Sequence, residues 1–315
     1  MMQVAPNIAA APEPLQSPGR RGWLRFRRNP PAMISLIFLA VLLALVLVWP
    51  WLAPYPYEKV SEAQFQGPSG EHWFGTDVHG RDLLTRVFFG ARISLMVGAV
   101  GAGVALLIGV TWGAVAGYVG GRIDSMLMRM VDILYSLPSI VIVVVLITTL
   151  QDVTRRSLAR IAGDGVASWT PTLLLLAGLG AVSWLTMARI VRGQVLSLRN
   201  RAFVHASIAL GASHARILLR HILPNIAGIV IVYLALTVPT VILYESFLSY
   251  LGMGIQPPMA SWGSLLAEGT SQLNVVRVYW WLLVIPGGLL VMTLLALNFL
   301  GDGLRDALDP KDVRD

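Results

Sequence analysis

The groups in this chain that could do chemistry are 24 lysines and arginines, 17 acidic residues and five histidines, and their spacing excludes most of it. Only two of the basic residues are lysines, Lys59 and Lys311, and neither follows a glycine. A phosphate-binding P-loop needs Gly-Lys-Ser/Thr, so no nucleotide-hydrolysing loop of that kind is present. The histidines His72, His79, His205, His214 and His221 form no His-Glu-x-x-His zinc pair, and no Gly-x-Ser-x-Gly nucleophile elbow occurs. With no cysteine, disulfides, thiolate nucleophiles and thiolate metal sites are absent. The net charge of +7 suggests nucleic acid at first sight, but the arginines lie between apolar runs and form no basic stripe. An enzyme with its own active site is not expected, and neither is a nucleic-acid partner.

Two readings remain open. An ion-coupled carrier would place ionisable residues at mid-membrane. Here Asp132 and Glu245 stand at the edges of apolar runs, and the interiors hold neutral polar groups and the prolines Pro138, Pro239 and Pro286. No charge relay is visible, which moves the expected energy source to a partner. The segment 189–221 is the natural place for one to act. Short helical patterns flank Gly211, a residue suited to a tight turn. Ile217, Leu218 and Ile222 make one side apolar, Arg216 and Arg220 make the other basic, and Pro224 opens the next apolar run. This predicts a protruding helix–Gly–helix, either a docking element or a solvated loop that supplies charge.

The elements that hold this segment are membrane spans. The chain has 315 residues, 56% hydrophobic and 13% charged, against about 25% charged in an ordinary soluble domain. Mean hydropathy is +0.68. Six stretches free of charge and histidine, at 33–52, 93–121, 133–151, 165–188, 222–244 and 278–301, approach or exceed the about 20 residues that cross about 30 Å of hydrocarbon. Backbone groups must be satisfied internally in lipid, so these are read as helices. A seventh stretch, 246–267, contains Gly252, Gly254, Pro257, Pro258 and Gly263 and is read as a folded extramembranous or re-entrant loop ordered by the prolines and Trp262. Residues 1–18 read as a disordered tail. An N-in, C-in topology puts 16 of the 24 basic residues inside, although Arg155, Arg156 and Arg160 fall outside. In the second span Gly101, Ala105, Gly109, Gly113, Gly117 and Gly121 recur every fourth residue, a face for close helix packing.

The segment from His205 to Pro224 resembles the coupling motif of ABC-importer permeases, Glu-Ala-Ala-x3-Gly-x9-Ile-x-Leu-Pro. Ala206, Gly211, Leu223 and Pro224 match it, whereas His205 replaces the glutamate, Ser207 the second alanine and His221 the isoleucine. Two further blocks resemble the C-type permeases of bacterial peptide importers. They are Phe74-Gly75-Thr76-Asp77-Val78-His79-Gly80-Arg81-Asp82-Leu83-Leu84-Thr85-Arg86, continuing through Gly90-Ala91-Arg92, and Asn298-Phe299-Leu300-Gly301-Asp302-Gly303-Leu304-Arg305-Asp306-Ala307-Leu308-Asp309-Pro310. The likeness runs from about Arg20 to the C-terminus and is strongest to the oligopeptide branch, with dipeptide permeases next.

The resemblance implies an all-α membrane fold of six transmembrane helices, of the type I ABC importer kind. It implies a cytoplasmic tail at 1–32, a first helix at 33–52, an extracytoplasmic segment at 53–92, a permease core at 93–301 with the coupling loop 189–221, and a cytoplasmic tail at 302–315. The implied partners are a second homologous permease, two ATPase subunits that bind ATP and Mg, a solute-binding protein, peptide and membrane lipid. No cofactor belongs to the chain itself, and the location is the bacterial inner membrane. Dipeptides, nickel or another small solute stay open as cargo. ATPase coupling falls to His205, Ala206, Ser207, Gly211, Leu223 and Pro224. Glu245, Ser246, Ser249 and Tyr250 are read as facing the pore mouth or the binding protein, with a structural role for Glu245 equally open. Asp82 and Arg86, spaced i, i+4 beside Arg81, are read as a local ion pair or a docking site. Asp302, Arg305 and Asp306 either clamp the tail to partners or cap the last span.

Overall fold

The structure is a computed structural model that describes residues 18–163, 165, 170–257, 259–273 and 277–308. Of the tail expected at 1–18, residues 1–17 lie outside the described residues, as do Pro258 and residues 309–315 of the expected C-terminal tail, while Pro18 opens a helix. The helices are α1 (Pro18–Arg27), α2 (Pro30–Leu52), α3 (Leu83–Val119), α4 (Gly121–Tyr135), α5 (Ser139–Ala162), α6 (Thr170–Arg199), α7 (Ala202–Ala209), α8 (His214–Ile217), α9 (Leu223–Tyr250), α10 (Trp262–Ser271) and α11 (Trp281–Leu308). Local chemistry sets their starts. Asn29 accepts from the Ala32 N–H ahead of the prolines that open α2, and Asp82 accepts from the Thr85 N–H at the start of α3. Ser261 and Ser264 form a reciprocal capping box at α10.

Among the described residues five helices are long and apolar enough to cross a membrane, and six spans result when α4 and α5 count as one broken span. The third span is therefore not the single helix expected at 133–151. Its two parts meet at 85°, and Pro138 stands at the break as the N-cap of α5. Proline restricts the preceding residue and cannot continue the α4 hydrogen-bond ladder, which accounts for the bend. The second span also differs, because α3 begins ten residues earlier than the charge-free stretch and has 37 residues. Arg86 and Arg92 are carried inside a helix that sequence charge had placed before the span.

Helices α3 and α6 form the most extensive pair and run in the same direction. Gly180 lies against Val104, Gly109 against Met187, Gly113 against Ala188 and Gly117 against Arg192. The expected stripe of small residues is thus an intramolecular seam. A Cβ at Gly113 would strike the Ala188 carbonyl. Higher on the same helix, Gly98 and Gly101 seat Ile242 and Val241 of α9. Gly121 does not belong to the stripe: α3 stops at Val119, and Gly120 and Gly121 turn the chain with φ of 71° and 59°. Around the bundle, α2 buries Leu42 and Val46 while Ile34, Ile37, Val41 and Leu47 face outward. An apolar face of that extent suits lipid or a partner helix rather than water.

The two poles of the bundle differ. Gly228 near the start of α9 touches Leu308 at the end of α11, and α1 packs on α2 and α11, so the 200–222 loop, α1 and the end of α11 share one pole. At the other pole the segment 53–82 forms a strap over the helix ends. Its turns are fixed by Gly75 and Gly80, both at positive φ. Phe65 stacks on Tyr279 at 4.2 Å, and Trp281 donates from Nε1 to the Thr76 carbonyl at 3.2 Å.

Candidate functional site

At the first pole α6 ends at Arg199, and the chain leaves the bundle as α7, turns, and returns as α8. Gly211 makes the turn with φ of 77°, a conformation that disfavours any side chain, and nothing lies within 4 Å of where its Cβ would stand. Ser213 then caps α8 by accepting from the Arg216 N–H. Between α8 and α9 the backbone widens into a π-helical turn at Leu218–Ile222. That widening precedes Pro224, whose ring would clash with the carbonyl four residues back in a regular helix. Asn225 donates from Nδ2 to the His221 carbonyl at 2.5 Å, a side-chain bond back onto the irregular turn.

The segment has an inner and an outer side. Val204, Ile217 and Ile222 are buried with Ala114 of α3, Met187, Val191 and Val195 of α6 and Ile226 of α9. On the outer side Leu210 is 88% exposed, and Ile208 and Phe203 also face outward. Of the six residues with expected coupling roles, His205, Ala206, Gly211 and Pro224 are exposed, while Ser207 and Leu223 are half-buried. Ser207 is turned onto its own helix, where it donates to the Phe203 carbonyl at 2.8 Å. His205 lines a cleft of about 510 Å³ with Tyr118, Arg199, Asn200 and His214.

Sequence spacing gave no signal for the ties that stiffen this pole, because they join distant residues. Arg192 of α6 holds Asp124 of α4 through two hydrogen bonds of 2.6 and 2.7 Å. Arg189 reaches Asp132 at 2.7 Å and lies over the Tyr135 ring at 3.9 Å. Arg199 donates to the Gly117 and Tyr118 carbonyls, both at 3.2 Å, and so closes the end of α3. Tyr118 in turn meets His214 Nδ1 at 2.9 Å.

At the opposite pole Glu245, Ser246 and Ser249 are buried within the chain, and only Tyr250 of that expected group is exposed. The Glu245 carboxylate, at 0% exposure, accepts from Ser249 Oγ at 2.7 Å, Ser94 Oγ at 3.0 Å and Ser246 Oγ at 3.4 Å. Ser94 lies on α3 and also accepts from the Trp262 N–H at the start of α10. Gly263 brings the α10 backbone onto Ser246. One carboxylate therefore fastens α3, α9 and α10 together. The stretch 246–267 is less loop-like than its glycines and prolines implied, since α9 continues to Tyr250 and α10 starts at Trp262.

The local pair expected between Asp82 and Arg86 does not form. Asp82 caps α3 and contacts His72 Nδ1 at 2.9 Å. Arg86 instead reaches Asp77 of the strap at 2.6 Å and Glu268 of α10 at 2.5 and 2.9 Å, and Arg81 joins the same two carboxylates. Burial pushes the nearby Tyr57 phenol above its ordinary pKa, while the Arg86 guanidinium acts against that rise. Asp306 accepts from Asn29 Nδ2 at 3.4 Å, which links the end of α11 to the α1–α2 junction, and Asp302 and Arg305 are exposed. Among the described residues no cluster of side chains could hold a metal ion.

This arrangement is a projecting helix–turn–helix on an apolar root, and among the described residues no group that could hold a metal ion accompanies it. Comparison with known proteins gives the family. The oligopeptide transport system permease protein OppC of Haemophilus influenzae is 45% identical over 98% of this chain and 94% of its own length. The OppC protein of Escherichia coli is 45% identical over 95% of each chain. The dipeptide transport system permease protein DppC of Bacillus subtilis is 43% identical over 92% of this chain and 84% of its own. Residues 17–68 match the model for the N-terminal TM domain of oligopeptide transport permease C. Residues 109–312 match the model for the inner membrane component of binding-protein-dependent transport systems, and the chain belongs to that family of multi-pass ABC-importer permeases.

Proposed function

We propose that this chain is one permease half of an ATP-driven oligopeptide importer, and that the α7–Gly211–α8 lever receives the power stroke. Membership of the family brings ATPase subunits and a solute-binding protein as partners, and a permease of this kind has no ATPase site of its own. The proposal adds a heterodimer with a second, homologous permease, two ATPases charged with Mg and ATP, and both chain ends in the cytoplasm. Excess arginine at the pole of the lever supports that orientation. The 45% identity to oligopeptide permeases over almost the whole chain supports the substrate class. Dipeptides are the second reading, supported by the 43% identity to a dipeptide permease.

The observation that carries the mechanism is the two-sided loop. Leu210 and Ile208 offer an apolar tip to an ATPase surface, while Val204, Ile217 and Ile222 are embedded against α3 and α6. Packed cores transmit displacement rather than absorb it. A push on the tip would therefore move the α3–α6 pair as a unit, and the exposed His205 would meet the ATPase where other family members present a glutamate. Such coupling requires an element with two arrangements biased by both sites.

The test is co-purification with the partner subunits, followed by ATPase and uptake assays with and without peptides. Gly211→Pro cannot adopt a φ of 77°, because proline fixes φ near −65°. The variant is expected to insert and assemble but to hydrolyse ATP without moving peptide. Leu210→Asp is expected to weaken ATPase retention about tenfold or more, in the manner of a lost apolar hot spot. Wild-type uptake by both variants would remove the lever role.

A further inference from the structure

Helix α1 has no part in the proposed coupling, yet the fold positions it firmly. Asn29 caps α2 and contacts Asp306 of α11, while Phe26 is buried against Ala32 and Gly303. Gly22 sits close to the Ala307 carbonyl, 3.2 Å from where a Cβ would stand. Between α1, α2 and α11 this leaves an open crevice of about 390 Å³ walled by Trp23, Phe26, Leu36, Leu300, Leu304 and Leu308. Its lining is apolar throughout. Trp23, stacked on Phe26 with ring centroids 5.9 Å apart, stands at the mouth and is 51% exposed.

The segment that supplies one wall is strongly basic outside that lining. Five arginines fall between positions 20 and 28 with no acidic residue among them. Arg20, Arg27 and Arg28 form no ion pair with a described residue. An amphipathic helix with arginines on one side and a tryptophan at the boundary is the composition that lies in a membrane interface. Here it overhangs the ends of two apolar spans, the level at which acyl chains meet headgroups. We infer that the α1–α2–α11 crevice is a binding site for an anionic glycerophospholipid, with an acyl chain between Trp23 and Leu304 and the phosphate against Arg20, Arg27 and Arg28. Charge complementarity selects the headgroup, and the apolar walls select a chain rather than a soluble phosphate.

The site is independent of what the permease carries, so its test does not use transport. The purified full chain in detergent is titrated with phosphatidylglycerol brominated on its acyl chains, and separately with brominated phosphatidylcholine. The Trp23 contribution to fluorescence quenching is obtained by difference from Trp23→Phe, which leaves the other nine of the ten tryptophans in place. The expected result is a Trp23 component quenched at least about tenfold more tightly by the anionic lipid, a preference lost in high salt. The triple variant Arg20→Gln, Arg27→Gln, Arg28→Gln should lose the preference while its remaining tryptophans quench with phosphatidylcholine as in the wild type, which reports an intact fold. Equal quenching by the two lipids would overturn the inference and leave ordinary annular lipid. Absence of a Trp23 component would also overturn it, by showing the crevice closed to lipid, for example by residues 1–17.

Discussion

Glu245 was open to two roles in the sequence, at the pore mouth or as a structural group, and its surroundings favour the second. A carboxylate at the edge of a span suggests a pore mouth, but here it is enclosed by hydroxyls from Ser94, Ser246 and Ser249. Hydroxyl groups rotate to suit an acceptor or a donor. Glu245→Gln should therefore keep thermal stability and uptake close to wild type. Glu245→Ala should cost about 1–3 kcal/mol, because buried hydroxyls lose their acceptor, and the loss would appear as an earlier melt in detergent. A Gln variant that melts normally yet fails to transport would assign Glu245 to the peptide path instead. Ser94 lies 151 positions away, so no local pattern could have announced it. The same distance problem hid Glu268, 182 positions from Arg86, and favoured the nearer and incorrect Asp82 as its partner.

Individual helices were more legible. Freedom from charge located the apolar middle of every span, because lipid imposes one rule along the whole stretch. Helix ends were less readable where tertiary partners neutralise a charge, as when Asp77 and Glu268 admit Arg86 into α3. The 85° break before α5 was signalled by Pro138, whose consequence depends on what each half packs against. The lever's helix–Gly–helix form was visible because Gly211 and Pro224 act through local backbone geometry, whereas the Ser213 cap went unread. The α3–α6 seam makes an element-level prediction. Gly113→Val places a branched side chain against the Ala188 carbonyl and should destabilise the bundle by about 1–3 kcal/mol or more. Gly103→Ala on the same helix faces open space and should be neutral or stabilising by up to about 1 kcal/mol. Thermal unfolding of the two variants side by side checks both, and equal melting would mean that the seam is not tight.

In the whole molecule the close approaches sort the helices into two groups. Near the lever α3 is joined to α6, whereas α9 is joined to α11 through Gly301 on Leu236 and Gly228 near Leu308. The groups meet at both poles: near the lever Ile226 of α9 is buried against α3 and α6, and at the opposite pole α9 reaches Gly98 and Gly101 of α3, where Glu245 fastens the contact. Since the chain has no cysteine, an introduced pair is unambiguous. Cysteines at Gly228 and Leu308, where a Cβ would lie 3.8 Å from its neighbour, match the usual disulfide spacing of about 3.8 Å. Oxidation of Gly228→Cys/Leu308→Cys should cross-link the chain without slowing uptake, because both positions belong to one group. Uptake lost on oxidation and regained with reductant would show that α9 and α11 slide past each other.

The strap and its buried guanidinium give the protein a pinned end, and a body pinned at one end swings most at the other. Amide exchange should accordingly be slowest around Arg86 and Glu245 and quicken with distance from them. ATP-dependent change in that exchange should be concentrated near Gly211, as the travel of a pair of tongs is greatest away from the rivet.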